Sequence, residues 1–241
     1  MKRARLLLVE DDAAIRRFVT LALEEMPLDI VEAPTLAAAI EALHGTPFQV
    51  VLCDLMLPDG SGLDLLRALA DADSPCPGAA RVAFSAGVSA AVSRELNRAG
   101  VLEILAKPAS LAALESCVLR ALAASTLSGA SSAAPPVATH SAVAEFFGGD
   151  LALFQAFWAQ CRPQFLHDAA TGDQAVQHAD LAALRRVAHS LKTLLLMLGE
   201  PADSLLAARV ESAAGAELAN AAALWPPLAV RLRQLARHSS E

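Results

Sequence analysis

Hydrophobic and polar positions follow two different textures along the 241-residue chain. In the first, short apolar runs recur: RLLLV (5–9), DIVEA (29–33), FQVVLC (48–53), RVAFS (81–85) and VLEIL (101–105). They are strand-length and mostly apolar, the pattern of parallel strands buried on both faces. Between them, residues 13–25, 36–44, 62–70, 89–99 and 111–123 space their apolar positions as helices do. This alternation predicts βαβ units and a doubly wound, five-stranded parallel sheet, an α/β domain over residues 1–123. In such sheets the chemistry collects at the carboxyl ends of the strands.

The second texture has no strand pattern. Residues 151–168, 181–198, 202–214 and 216–237 form long helical runs with short connections, which predicts an all-α antiparallel helical bundle over residues 142–241. Pro163 is expected to kink the first of these helices, and Pro226-Pro227 to disturb or split the last. Between the two textures, STLSGASSAAPPVATHS (125–141) is small, polar and proline-containing, and residues 124–141 read as a linker.

Composition narrows the function. The hydrophobic fraction of 55 % allows sizeable cores, and the net charge of -7 splits into -5 for residues 1–140 and -2 for residues 141–241. Neither half has the basic excess of a nucleic-acid binder, so a DNA-binding output is not expected. Cys53, Cys76, Cys117 and Cys161 are scattered without a CxxC pair, as suits reduced thiols. The apolar run after MKRAR meets acids within four residues, too soon for a signal peptide, and no stretch approaches a membrane span. A cytoplasmic location without membrane insertion is the expectation.

Candidate chemistry lies at the strand ends. Glu10, Asp11 and Asp12 follow the first strand and Asp54 the third, and these strands are neighbours in a doubly wound sheet. Carboxylates so close are costly unless a cation neutralises them, and hard oxygen ligands suit Mg²⁺. Ser85 follows the fourth strand and Lys107 the fifth, with Pro108 next as a candidate cis residue. Acids, a hydroxyl and a lysine at these positions suit phosphoryl transfer, with one carboxylate attacking.

The pieces LLLVEDDAAIRR, DLMLPDGSG, FSAG and AKP, with the spacing Asp54–Pro58–Gly62, resemble the receiver domain of two-component response regulators over residues 5–122. The resemblance implies that Asp54 is the phosphoacceptor. It implies that Glu10 and Asp11 are the acidic pair, with Asp11, Asp54 and the backbone carbonyl of Met56 as the Mg²⁺ ligands. Asp12 falls at the variable position after the pair, and Ser85 and Lys107 would contact the phosphoryl group. The aromatic switch residue usual three positions before the lysine is Ile104 here.

In the second half, His189 stands in RRVAHSLKTLLLMLG (185–199). Asp180 is the expected N-cap of its helix and Gly199-Glu200-Pro201 the expected stop. At ~100° per residue, Leu184, Val187, Leu191, Leu194 and Leu198 fall within about 40° of the side opposite His189, as a core stripe. Ala182, Arg185, Arg186, Lys192, Thr193 and Leu196 fall within about 60° of it. His189 is thus expected on the exposed face, with Lys192 and an arginine able to offset phosphoryl charge. A neutral exposed imidazole is a competent nucleophile towards an acyl phosphate.

AHSLKTLLLMLG, with RVESAA in the next helix, resembles the histidine-phosphotransfer (HPt) domain over about residues 145–237. His189, Leu191 and Lys192 match its H-x-L-K-G motif, while Thr193 replaces the glycine and Leu194, Leu195 and Leu196 replace small polar residues. Together the resemblances imply a phosphorelay protein, not an enzyme in the ordinary sense, with phosphoacceptors at Asp54 and His189. The implied partners are a sensor histidine kinase, simple or hybrid, and a response-regulator receiver domain. The alternative is a docking module whose bundle binds a kinase or regulator without carrying phosphate, gated by phosphorylation of Asp54. An output enzyme is disfavoured, since the second half has no glycine-rich phosphate loop and no paired acids at catalytic spacing.

Overall fold

The computed structural model describes residues 3–45, 47–71, 74–126, 142–216 and 218–237. It divides into two compact units, Met1–Ala138 and Thr139–Glu241. Most of the expected linker, residues 127–141, lies outside the described residues.

The first unit is built on a five-stranded sheet. Its strands are β1 (Ala4–Val9), β2 (Leu28–Ala33), β3 (Val50–Asp54), β6 (Ala80–Ser85) and β7 (Glu103–Ala106). Two short strands, β4 (Met56–Leu57) and β5 (Gly60–Ser61), pair antiparallel beside it. The order is β2-β1-β3-β6-β7 and every pairing in the main sheet is parallel. The helices are α1 (Ala13–Ala22), α2 (Leu36–Leu43), α3 (Gly62–Ala68), α4 (Ala90–Arg98) and α5 (Leu111–Thr126).

The apolar runs explain the layering. Leu7, Val9, Val51, Cys53 and Ala83 pack in one cluster with Ala39 and Leu43 of α2, Leu65 and Leu66 of α3, and Leu96 of α4. The alternate strand residues, among them Leu6, Leu8, Leu52 and Phe84, are equally buried and point to the other face. There α5 packs on β3, β6 and β7, and α1 packs on α5. Each such buried Leu or Phe contributes roughly 1.5–3 kcal/mol of transfer free energy. The adjacency of β1 and β3 registers Val9 with Cys53, so the residues that follow these strands emerge side by side.

In the second unit the helices are α6 (Ala142–Phe147), α7 (Leu151–Gln177), α8 (Leu181–Met197), α9 (Pro201–Ala214) and α10 (Leu218–Leu235). The last four pack in a closed cycle, α7 on α8, α8 on α9, α9 on α10 and α10 on α7. Asp150 and Asp180 cap α7 and α8 by accepting from Leu153 N and Ala183 N, each at 2.9 Å.

The proline pair does not split the last helix. Helix α7 runs unbroken through Pro163, and α10 through Pro226 and Pro227. Packing outweighs the lost backbone bonds: Trp225, Leu228 and Ala229 flank or follow the proline pair and are fully buried. Helix α7 also runs well past the expected end at residue 168. Gly172 is needed there, since a Cβ at that position would lie 1.9 Å from the Trp225 ring.

Candidate functional site

The carboxyl ends of β1, β3, β6 and β7 place the predicted residues in one crevice. Glu10 is buried after β1, and Asp54 is buried at the end of β3. Ligand oxygens of Glu10, Asp11 and Asp54 all lie within 4.8 Å of one another. Lys107, at the end of β7, reaches into the same space. Its Nζ lies 2.5 Å from Asp54 Oδ2 and also pairs with Glu10 Oε2. The other oxygen of Asp54, Oδ1, accepts from Met56 N at 3.0 Å. Lys107 Nζ also sits 4.8 Å from the centre of the Phe84 ring. The Lys107–Pro108 peptide bond is cis.

The residues flanking these groups fix the loops. Asp12 is not part of the acidic pair: its Oδ1 accepts from Ala14 N at 2.8 Å and Ile15 N at 3.0 Å as the N-cap of α1. Gly62 is required at the start of α3, because a Cβ there would stand 1.8 Å from the carbonyl oxygen of Asp54. Gly62→Ala therefore displaces the backbone of Asp54. We expect it to cost on the order of 1–3 kcal/mol in chemical unfolding of the first unit. Ser85 is buried, and its hydroxyl donates to the Gly87 carbonyl at 3.4 Å.

Electrostatics follows from burial. Desolvation, reinforced by Asp54, raises the Glu10 carboxyl against the pull of Lys107. Desolvation and the Asp54 charge also raise Asp11. Burial alone would lower Lys107, but Glu10 and Asp54 hold it charged and raise it. Such a group of acids, tied by one ammonium, is a high-field oxygen cluster that fits a small divalent cation. Glu10, Asp11 and Asp54 are the side chains that could hold it.

The first unit has known relatives. The family of the response regulator receiver domain matches residues 6–119. Response regulator protein PilR of Pseudomonas aeruginosa is 34 % identical over 122 residues, 51 % of this chain and 27 % of PilR. Response regulator receiver protein CpdR of Brucella abortus is 30 % identical over 105 residues, which are 43 % of this chain and 84 % of CpdR. The chain belongs to the response regulator receiver family. A CheY-like receiver domain from Methanospirillum hungatei is also similar in structure, with 25 % identity, a TM-score of 0.48, and coverage of 52 % of this chain and 98 % of that one. The chain spans little more than a quarter of PilR's length.

The receiver's five-stranded sheet thus carries its acids, hydroxyl and lysine at the carboxyl ends of β1, β3, β6 and β7. Ile104 of this receiver is half-buried on β7 and packs against the cluster shared by α2, α3 and α4.

Beyond the receiver, His189 departs from its sequence expectation. It is 8 % exposed, not centred on a solvent face. The reason is α9, which lies across that face. Ser204 Oγ of α9 donates to the Lys192 carbonyl at 2.7 Å, a close approach allowed by the small buried residues Ser204, Ala207 and Ala214. Glu211 of α9 bonds His189 Nδ1 and Lys192 Nζ, both at 2.6 Å. The Lys192 ammonium is therefore already paired. His189 Nε2 is buried with no hydrogen-bond partner among the described residues. A shallow groove of about 300 Å³ adjoins this triad, lined by Arg185, Ala208, Glu211, Ser212, Gly215 and Ala216.

Burial alone would raise Glu211, but the bonds and charges of His189 and Lys192 override it and hold this carboxyl at about 2. The folded carboxylate thus holds its proton less tightly than the unfolded one. Its pairing contributes in full above about pH 4.5 and is lost as the pH falls towards about 2. Acid titration of helical-unit unfolding should show this loss, on the order of 1–2 kcal/mol after screening of a half-buried group. In Glu211→Gln that part of the slope should vanish.

Proposed function

We propose that this response regulator accepts a phosphoryl group on Asp54 and exchanges phosphoryl groups through His189. The donor to Asp54 is a phosphohistidine of a sensor histidine kinase or of a phosphotransfer domain. An Asp54 oxygen bonds to phosphorus as the N–P bond breaks. The freed pair returns to the donor imidazole, which takes up a proton. Lys107 and Ser85 meet the phosphoryl oxygens as charge moves onto them. Glu10, Asp11, Asp54 and the Met56 carbonyl would hold magnesium, which would neutralise charge on those oxygens. The observation that carries this reading is the convergence of the three carboxylates within 4.8 Å of one another, with the Lys107 ammonium 2.5 Å from Asp54.

For the helical unit, read as an antiparallel HPt-like bundle, the support is the Glu211–His189 bond. With Nδ1–H donated to that carboxylate, the lone pair of the neutral ring stands on Nε2. In the transfer, Nε2 bonds to phosphorus of an aspartyl phosphate as the O–P bond breaks and a carboxylate leaves. A second reading has an observation of its own. Nε2 is covered in this conformation, which favours a docking module that binds a kinase or regulator without taking phosphate.

Labelling with a cognate phosphodonor separates the two. Alkali-stable, acid-labile label that disappears in His189→Gln supports relay. Label confined to Asp54 leaves docking. Label that persists on the receiver of Asp54→Asn overturns the Asp54 assignment.

A further inference from the structure

We propose that Arg16 is a positioning residue for the acidic cluster: it clamps the backbone of Glu10 and Asp11 so that their carboxylates meet Asp54. The proposal rests on reading that cluster as a cation site. Arg16 lies in the first turns of α1, directly after the acids it serves. One nitrogen of its guanidinium, Nη1, donates to the carbonyl of Glu10 at 2.7 Å and to that of Asp11 at 2.8 Å. Two successive carbonyls meeting one donor fix the dihedral angles between them. That fixes the direction in which the Asp11 side chain leaves the turn and anchors the carbonyl of Glu10 beside it.

The clamp is itself braced. Arg16 Nε stands 3.4 Å from Glu32 Oε2 on β2. Glu32 Oε1 accepts from Thr20 Oγ1, one turn further along α1, at 3.0 Å. Little of the Arg16 side chain reaches solvent, with 16 % exposed, so the guanidinium has few alternative placements. Glu10 N donates to the Ala33 carbonyl at 3.1 Å, and the Asp12 cap holds the far end of the turn. Arg16 ties these two points together at the residues that carry the charge.

The sign of the effect separates positioning from simple electrostatics. Arg16 is a cation beside a cation site. On charge alone its removal should tighten binding of a dication, and its exchange for lysine should change nothing. If the guanidinium fork presets the turn, both changes should weaken binding, since partners that orient ligands carry much of a metal site's affinity.

The test is calorimetric titration of the full-length protein with Mg²⁺ for wild type, Arg16→Ala, Arg16→Lys and Asp54→Asn, alongside thermal unfolding in chelator to establish that each is folded. We expect Arg16→Ala to weaken Mg²⁺ binding roughly tenfold and Arg16→Lys to weaken it by a smaller factor. Binding of Arg16→Ala as tight as wild type or tighter overturns the proposal while leaving the cation site intact. Should Arg16→Ala fail to fold, Arg16→Lys decides: wild-type affinity overturns the proposal and weakened affinity supports it. No Mg²⁺ uptake by wild type, or uptake untouched in Asp54→Asn, overturns the reading of the site itself.

Discussion

In chelator, Lys107→Ala unfolds its receiver unit at a lower denaturant concentration than wild type, and magnesium recovers most of the difference. The expectation follows from three numbers: the side chains of Lys107, Glu10 and Asp54 are 3 %, 1 % and 2 % exposed. Both carboxylates depend on one ammonium. Removing it leaves buried charge uncompensated, at a cost of roughly 3–5 kcal/mol. The cost stays near the lower end of that range because burial already favours a protonated Glu10. A dication replaces the lost positive charge. The comparison is Arg120→Ala, which breaks a far more exposed pair with Glu103. That loss should be about 0–1 kcal/mol and indifferent to magnesium. An unfolding midpoint for Lys107→Ala that ignores magnesium would contradict the assignment of the cluster.

Trp225→Ala should unfold the helical unit more readily by about 3–5 kcal/mol, the cost of a large-to-small change in a packed core. Trp225 is 1 % exposed, and its ring fills the space over Gly172. Its Nε1 donates to Asp173 Oδ1 at 2.8 Å, and Asp173 also pairs with Arg233. The change thus removes packing and a hydrogen bond between α7 and α10 together. The chain's two tryptophans, Trp158 and Trp225, both lie in this unit. Trp158 therefore remains as a fluorescent reporter of helical-unit unfolding in the variant. A midpoint within error of wild type would show that Trp225 is not a core residue.

The receiver was legible because its signals are local and repeated. Each strand run is short and mostly apolar, and the parallel topology brings Glu10 and Asp54 together once β1 and β3 are taken as neighbours. The short β4–β5 pair was missed, since two residues a side carry no periodicity. The role of Asp12 was also missed, although its place directly before the helical run at 13–25 was the available signal for a cap.

His189 was misplaced for a different reason. A helical wheel ranks positions against one core face, whereas α8 is covered on more than one side. Thr193, Leu194, Leu195 and Met197 are all buried and Lys192 and Leu196 are half-buried, so its C-terminal half has no fully exposed face. The nearly unbroken apolar run TLLLML was the available signal, since a helix apolar all round is a buried helix. Glu211 lies in RVESAA, a stretch similar to the HPt domain, but its partnership with His189 depends on the α8–α9 packing, which the sequence does not display.

The central claim is that Asp54 carries the phosphoryl group. The most direct measurement is reductive trapping of the acyl phosphate, with borohydride, after incubation with phosphodonor and magnesium, followed by peptide mass spectrometry. The account predicts a reduced side chain at Asp54, absent in chelator and in Asp54→Asn. Trapped product at Asp11, at Asp59 or at another carboxylate, with Asp54 unmodified, would contradict it.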